Sequence, residues 1–153
     1  MSSQSAEITV RRLESSDRES WQPLWDAYVR FYRGKLPAQV SDVTFARLID
    51  ADSDLVGLVA LGADSGLLGL AHLVFHASTW AQAPSCYLED LFVAPASRGS
   101  GVAKRLIEAT YEKARERGAG RVYWMTQGFN GPARSLYDTV AGLTSFVVYE
   151  HEL

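Results

Sequence analysis

The pattern of apolar and polar positions predicts a strand and then a helix at the start of the chain. Residues 7–13 alternate in character, which is typical of a short strand. Ser16 or Asp17 is placed to cap a helix that follows. Apolar residues then recur at spacings of three and four, and this periodicity predicts one buried helix face. The face is rich in aromatic rings: Trp21, Leu24, Trp25, Tyr28, Phe31 and Tyr32.

The middle of the chain predicts a second helix followed by three strands. Two nearly continuous apolar runs, Leu55–Leu61 and Leu67–His76, are joined by a short polar turn, which predicts a β-hairpin. A third apolar run, Cys86–Val93, predicts the next strand. Ser41 is placed to cap the helix that precedes these strands. The side chains of that helix that we expect to face inward are Val43, Phe45, Leu48 and Ile49.

The second half of the chain carries the clearest helix, Val102–Arg117, which Gly118 terminates. A strand at Arg121–Thr126 and a helix at Pro132–Val140 follow, and Thr144–Leu153 predicts a last strand. The expected buried stripe of the long helix is Val102, Ala103, Leu106, Ile107, Thr110 and Ala114.

This order of elements predicts an α/β fold, in which helices cover the faces of a mixed sheet. The chain has 153 residues, enough for one substantial core, and no linker divides it, so we expect a single domain over residues 1–153. The formal net charge is -3. That balance argues against nucleic acid as the main partner, because duplex-binding proteins usually carry a basic face. An acidic surface attracts a cationic substrate instead.

The single cysteine, Cys86, excludes a disulfide within the chain and makes a cysteine-based zinc site a poor hypothesis. With His72 or His76 it would suggest a thiol nucleophile, but no third group is evident, so we interpret Cys86 as a small strand residue. The polar N-terminus lacks the apolar core of a signal peptide, and the longest apolar stretches are too short to span a bilayer. We therefore expect a cytoplasmic protein without a membrane partner.

The segment Arg98–Ala103 reads RGSGVA and opens the long helix after a strand. Small residues allow close backbone approach, and a helix N-terminus offers free N–H groups to a phosphate or pyrophosphate. The segment is neither a Walker A motif nor a dinucleotide fingerprint. Taken alone, Gly99 and Gly101 fit a plain tight turn equally well.

Glu89 and Asp90 interrupt an apolar strand, where alternation would place them on opposite faces. Charged residues are rarely buried without a task or a partner. A carboxylate can hold an alkyl ammonium and accept its proton, but both residues can also be structural ion-pair members. Tyr137 belongs to an apolar helix stripe, which by itself favours a core tyrosine.

Three blocks of the sequence resemble the GNAT acetyltransferases. Arg98–Ala103 matches the coenzyme A pyrophosphate loop of that family, R-x-x-G-x-A. The segment Tyr87–Pro95 (YLEDLFVAP) is similar to its central strand, and Asn130–Tyr137 (NGPARSLY) to its following helix. The resemblance covers residues 86–140 closely and the rest in layout. The branches that it resembles most are the spermidine/spermine and the histone/polyamine acetyltransferases.

The resemblance implies a GNAT fold, in which a mixed central sheet has a splayed fourth strand and helices on both faces. It also implies a direct transfer of acetyl from acetyl-coenzyme A to a primary amine in a ternary complex, without a metal or a covalent enzyme intermediate. The expected acceptor is a small amine such as a polyamine, a diamine or an amino acid. The alternatives are a protein lysine acetyltransferase and a coenzyme A-binding sensor that has lost catalysis.

The family pattern also implies roles for individual residues. Glu89 receives or holds the amine, Asp90 supports the substrate or the strand, and Tyr137 protonates the leaving thiolate. Tyr28 and Tyr32 are expected to line the acceptor site. The residues implied for cofactor binding are Leu91, Phe92, Val93, Arg98, Gly99, Ser100, Gly101, Val102, Ala103, Lys104 and Asn130.

The C-terminal segment Thr144–Leu153 is long enough for one strand and is rich in β-formers. At a sheet edge it would expose an apolar row, which proteins in water avoid. A second copy of the chain can cover it by pairing edges or exchanging strands. We therefore expect a homodimer, the alternative being that the strand inserts beside Arg121–Thr126 of its own chain.

Overall fold

The computed structural model describes residues 7–32, 34–64 and 66–153. It contains four α-helices and one five-stranded sheet in these ranges. The strands are β1 (Thr9–Arg12), β2 (Leu55–Leu61), β3 (Leu67–His76), β4 (Ser85–Val93) and β5 (Arg121–Tyr123). The helices are α1 (Arg18–Phe31), α2 (Ala38–Ile49), α3 (Val102–Glu116) and α4 (Gly131–Val140).

The strands lie in the sheet in chain order, from β1 to β5. Each neighbouring pair from β1 to β4 is antiparallel, and the hairpin predicted between β2 and β3 is confirmed. The last pair, β4 and β5, is parallel, because α3 carries the chain back to the starting end of the sheet. The predicted mixed α/β fold is therefore confirmed.

Two apolar clusters lie on opposite faces of the sheet. Alternation along β2 sends Val56 and Leu58 to the cluster that α3 covers, and Val59 to the cluster that α1 and α2 cover. Gly69 in β3 allows α3 to begin close to the sheet. A Cβ atom there would lie 2.8 Å from the carbonyl oxygen of Phe92 and 3.1 Å from the side chain of Val102. This close approach places the N-terminus of α3 beside the end of β4.

Helix α1 begins at a polar corner and buries its first aromatic rings. Asp17 precedes the helix, but its carboxylate does not cap it; both oxygens bind the Arg11 guanidinium, and Oδ2 accepts the backbone N–H of Glu14. Trp21, Leu24 and Trp25 are buried, as predicted for the apolar face. Tyr28 is partly buried. Phe31 and Tyr32 were predicted on the same buried face, but they are 54% and 46% exposed, because they lie at the end of the helix and just after it.

Two expectations for α2 are wrong. Ser41 lies inside the helix, not at its start, and its hydroxyl accepts the indole N–H of Trp25 at 3.1 Å. Val43 is 47% exposed. The buried side chains Ser41, Phe45 and Leu48 recur at spacings of four and three, which leaves position 43 on the outer face of the helix.

The predicted last strand is also wrong. Residues 144–153 join no strand, and their side chains are exposed, Phe146 by 88% and Tyr149 by 95%. A strand requires a hydrogen-bonded neighbour, and this segment pairs with no described strand of its own chain. Strand β5 is also shorter than predicted and ends at Tyr123. Among the described residues, no helix combines the length and the apolar character needed to cross a bilayer.

Candidate active site

The sheet opens between β4 and β5. Only Ser85–Tyr87 pairs with β5, through Arg121–Tyr123, whereas β4 continues to Val93 and pairs with β3 along that length. The backbone edge of residues 91–93 that faces β5 therefore has no strand partner in the described chain. This opening is the splayed fourth strand expected from the sequence, and its free edge can pair with an extended ligand.

A β-bulge in β4 lies at the two carboxylates. His72 is opposite Asp90 and Leu73 is opposite Leu88, so that Glu89 is the extra residue. The strict alternation expected for Glu89 and Asp90 consequently breaks at this point. Asp90 lies on the α1 side of the sheet, where it contacts His72. Burial raises the pKa of the Tyr28 hydroxyl, and the neighbouring Asp90 and Glu89 carboxylates raise it further.

An open cavity lies where the sheet opens. Glu89 and Tyr137 line it together, although the chain separates them by the whole of α3 and β5. Tyr28 of α1 and Tyr32, the residue after that helix, also line it, and Asp90 lies outside the lining. The remaining lining residues are Leu88, Leu91, Trp124, Met125 and Thr126.

The electrostatics around Glu89 favour a base. Burial and then the neighbouring Asp90 carboxylate raise the pKa of Glu89 above its ordinary value. A carboxylate with a raised pKa takes up a proton more readily, which suits a group that accepts one from a substrate ammonium. No lysine or arginine is found among the residues that line the cavity in the described chain.

Tyr137 is held on α4 by its neighbours. Its ring packs against the apolar cluster that α3 covers and contacts the indole of Trp124 edge to face. Burial, with a smaller contribution from Tyr32, raises the pKa of Tyr137. The phenol therefore stays protonated over a wide pH range, so that its proton is available to a leaving group.

The loop before α3 has an open backbone at two glycines. Gly99 and Gly101 have φ angles of 80° and 87°, in the left-handed region that other residues rarely adopt. No atom lies within 4 Å of the position of a Cβ on either glycine, so the loop presents open backbone. Gly101 directly precedes α3, whose first N–H groups have no helical acceptor.

Arg98 anchors this loop to the sheet. Its guanidinium lies 5.4 Å from the ring centroid of Phe92 and 5.8 Å from that of Phe31, and its Nε donates to the carbonyl of Val93 at 3.3 Å. Asn130 is the residue before α4, but its side chain makes no capping hydrogen bond. The donor set at Gly99–Val102 fits an anionic pyrophosphate group, since it combines open N–H groups with a helix N-terminus.

Comparison with known proteins identifies the family. The model of the acetyltransferase (GNAT) family matches residues 10–143. The chain belongs to the GNAT family. The D-amino-acid N-acetyltransferase HPA3 of Saccharomyces cerevisiae is 38% identical over 144 residues, which cover 94% of this chain and 89% of the yeast protein. The protein is an acetyl-coenzyme A-dependent N-acetyltransferase.

Solved GNAT structures share the fold of the whole chain. The aminoglycoside acetyltransferase AAC(6')-Iy, in complex with the bisubstrate analogue CoA-S-monomethyl-acetylneamine, superimposes with a TM-score of 0.82 at 21% identity, over 97% of this chain and 99% of that one. A ribosomal-protein-alanine N-acetyltransferase from Brucella melitensis gives a TM-score of 0.79 at 22% identity, over 96% and 100%. At these identities the likeness shows the fold alone.

Sequence reasoning missed the lining residues Leu88, Trp124, Met125 and Thr126, and it missed His72 behind the site. Trp124 supports Tyr137, and His72 contacts Asp90. A signal existed for His72, since it is a polar residue within an apolar strand that the hairpin order places beside the Glu89–Asp90 strand. Trp124 was assigned to a regular strand, although it lies just beyond the pairing of β5, where the sheet has already opened.

Cys86 takes no part in the site. It is buried in the cluster under α3, and burial raises the pKa of its thiol to about 11. His72 binds Trp21 and Asp90 on the other face of the sheet. The interpretation of Cys86 as a small strand residue agrees with this placement. The described residues contain no group of three or more histidine, cysteine or acidic side chains that could hold a metal ion.

Proposed function

We propose that this acetyltransferase acts on the primary amine of a small molecule, with Glu89 as the base and Tyr137 as the acid. The observation that carries the proposal is that both side chains line one cavity at the opening between β4 and β5. One group accepts protons and the other donates them, and acyl transfer to an ammonium needs both steps.

Acetyl-coenzyme A supplies the acyl group as an activated thioester. The loop Arg98–Ala103, with Lys104 in the following turn, would hold its pyrophosphate, because the two left-handed glycines leave the backbone open there. The free edge of residues 91–93 would pair with the extended arm of the cofactor, as the unpaired edge of a strand pairs with a peptide. Asn130, at the start of α4, is a further proposed contact.

The chemistry at the acceptor follows from the charges in the cavity. An alkyl ammonium must lose a proton before its nitrogen can attack, and Glu89 would take that proton directly or through a water molecule. Tyr137, which burial keeps protonated, would give its proton to the departing thiolate. Both reactants are held at once, so the transfer needs no covalent enzyme intermediate.

The lining of the cavity suits a cationic amine. Tyr28 and Tyr32 offer aromatic faces, and Glu89 with Asp90 behind it offers negative charge. D-amino acids are the first class to test, because the yeast relative is named for them, and polyamines and diamines are the second.

The test is an assay of coenzyme A thiol release with acetyl-coenzyme A and a panel of amines. The panel contains D- and L-amino acids, polyamines, diamines and a lysine-containing peptide, with an amine-free reaction as the blank. We expect release that depends on one of the small amines and is strongly reduced at neutral pH in Glu89→Gln. Acetylation of the peptide alone would favour a protein acceptor. Tight acetyl-coenzyme A binding with no release for any amine would favour the sensor.

For assembly, we propose a homodimer in which residues 144–153 pair with a second copy. Phe146, Val147 and Val148 are each at least 66% exposed, although their composition is that of a strand. Strand β5 is the edge strand of the sheet and has a free outer side. An extended apolar segment and a free edge in one chain are complementary across a two-fold axis.

A further inference from the structure

His72 is a buried polar residue that the proposed chemistry does not use. It is 3% exposed and lies on β3 directly opposite Asp90. The indole Nε1–H of Trp21 donates to its Nε2 at 3.1 Å, and its Nδ1 lies 2.9 Å from Oδ2 of Asp90. A chain of hydrogen bonds therefore runs from α1 through β3 to the bulge in β4.

The direction of each hydrogen bond follows from the donor inventory. An indole nitrogen can only donate, so Nε2 of His72 must accept and carries no proton. The proton of the neutral imidazole is then on Nδ1, which donates to the Asp90 carboxylate. If Nε2 were protonated, its N–H would point at the indole N–H of Trp21, and the two donors would repel each other. Trp21 thus holds His72 in one neutral tautomer, and the charge of Asp90 is not cancelled by an imidazolium.

Asp90 lies behind the cavity and next to its base. Its side chain is 15% exposed. Burial first, and then the negative charge of Asp90, raise the pKa of Glu89 and of Tyr28. The other titratable groups that face it are Tyr32 of α1 and Tyr87 of β4, whose pKa values are raised by burial and then by neighbouring carboxylates. On α1, Arg18 lies over the ring of Trp21 and pairs with Asp42.

We propose that Trp21 and His72 are positioning residues that hold Asp90 as a fixed anion behind the acceptor cavity, where it strengthens Glu89 as a base and attracts the substrate ammonium. The proposal rests on the function proposed above for Glu89. An oriented and desolvated charge acts more strongly than a surface charge, because less water screens it. His72 orients this charge with a hydrogen bond and adds no positive charge of its own.

The first test needs no activity. Long-range ¹H–¹⁵N spectra of the intact protein report which imidazole nitrogen carries the proton, and His72→Asn identifies the signal of His72 among the three histidines. We expect a neutral ring protonated on Nδ1 at pH 7. A ring protonated on Nε2, or an imidazolium at that pH, would overturn the proposal.

The second test separates positioning from folding. Trp21→Phe keeps an aromatic ring but removes the indole N–H, so Nε2 of His72 loses the donor that keeps it unprotonated. In acid the ring can then become an imidazolium, which would cancel the charge of Asp90. We expect KM for the amine, relative to wild type, to rise about threefold to tenfold at pH 6 and to stay near wild type at pH 8, with KM for acetyl-coenzyme A unchanged. If the ratio of the variant's KM for the amine to that of wild type were the same at pH 6 and pH 8, the proposal would be contradicted.

The third test compares two replacements of His72. His72→Asn retains a donor near the position of Nδ1, whereas His72→Leu removes both hydrogen bonds. We expect a large rise in KM for the amine in the leucine variant and a partial rescue in the asparagine variant. Equal defects in two folded variants would overturn a positioning role. If the leucine variant does not fold, the tautomer and Trp21→Phe measurements decide. If wild type acetylates no amine, the proposed function fails, whereas the tautomer result still stands by itself.

Discussion

The indole of Trp124 meets the phenol ring of Tyr137 edge to face, with 5.4 Å between the ring centroids. This contact, together with the packing of Tyr137 against the cluster under α3, fixes the ring without using its hydroxyl group. The hydroxyl is therefore free for chemistry in the cavity, and its removal leaves the ring supported.

Tyr137→Phe should accordingly reduce turnover without disturbing the fold. We expect kcat to fall by roughly 10²-fold while acetyl-coenzyme A binding stays near normal, because a general acid is lost and packing is kept. Steady-state kinetics and calorimetry measure the two effects. Tyr111→Phe is the matched control, since its hydroxyl donates to the carbonyl of Val140 at 2.8 Å outside the cavity. Full activity in Tyr137→Phe would leave Tyr137 a packing residue only.

Glu89→Gln tests the base through pH. The variant should be slowest relative to wild type at neutral pH, where the amine is almost fully protonated, and should recover in part at high pH, where the amine loses its proton unaided. Rate–pH profiles of both proteins measure this. Glu116→Gln, an exposed change on α3, is the control. A uniform loss at every pH would indicate that Glu89 binds the cation and does not move its proton.

The sequence predicted the sheet and its helices because burial repeats at regular spacings. The hairpin runs Leu55–Leu61 and Leu67–His76 have the predicted bounds in the structure. The prediction of a last strand was wrong for a physical reason. Residues 144–153 have a high β propensity, but a strand also needs a hydrogen-bonded neighbour, and this segment has none in the described chain.

The site was less predictable than the fold. The bulge at Glu89 depends on how β4 pairs with β3, which no periodicity within one strand reveals. Tyr137 and Glu89 line the same cavity because the pairing of β4 with β5 ends at Tyr123 and the sheet opens there. Family resemblance was therefore needed to single out Tyr137, because its local pattern is that of a core residue.

Gly101→Asp tests the phosphate loop. The aspartate would place a negative charge at the N-terminus of α3 and a side chain on backbone with φ of 87°. We expect acetyl-coenzyme A affinity to fall more than about tenfold, measured by calorimetry on the folded variant. Gly118→Asp is the control, because Gly118 has a φ of 71° and equally open surroundings at the other end of α3. Equal affinities in both variants would place the pyrophosphate elsewhere.

Asp17→Asn tests the corner where α1 begins. Arg11 holds both carboxylate oxygens of Asp17, at 2.7 and 2.8 Å, and lowers its pKa below the ordinary 3.8. The pair therefore stabilises the fold above that pH and loses its effect as the pH falls through the lowered value. We expect the substitution to lower the free energy of unfolding by about 2 kcal/mol at pH 7, measured by denaturant unfolding. This difference from wild type should become smaller in acid. Asp42→Asn, in an exposed pair with Arg18, should cost much less. Equal costs at pH 7 would contradict the assignment.

The C-terminal segment Thr144–Leu153 exposes large apolar side chains to water. Phe146, Val147 and Tyr149 are 88%, 76% and 95% exposed. Exposure of large apolar side chains to water is unfavourable. Each one that becomes buried contributes roughly 1.5 to 3 kcal/mol of free energy to the association. The free outer side of β5 offers backbone partners for it, but the segment does not fold back onto that edge in its own chain.

A second copy of the chain offers the same free edge of β5 and the same C-terminal segment. Each segment can pair with the β5 edge of the other copy, so that two equivalent contacts form across a two-fold axis. We expect light scattering at micromolar concentration to give the mass of a dimer, and a chain ended after Gly142 to give the mass of a monomer. Phe146→Asp in the full chain should weaken the dimer, whereas Glu152→Asp, at the exposed end, should not. A monomeric mass for the full chain under these conditions would rule out the exchange, because the exposed segment would then be stable in water without a partner.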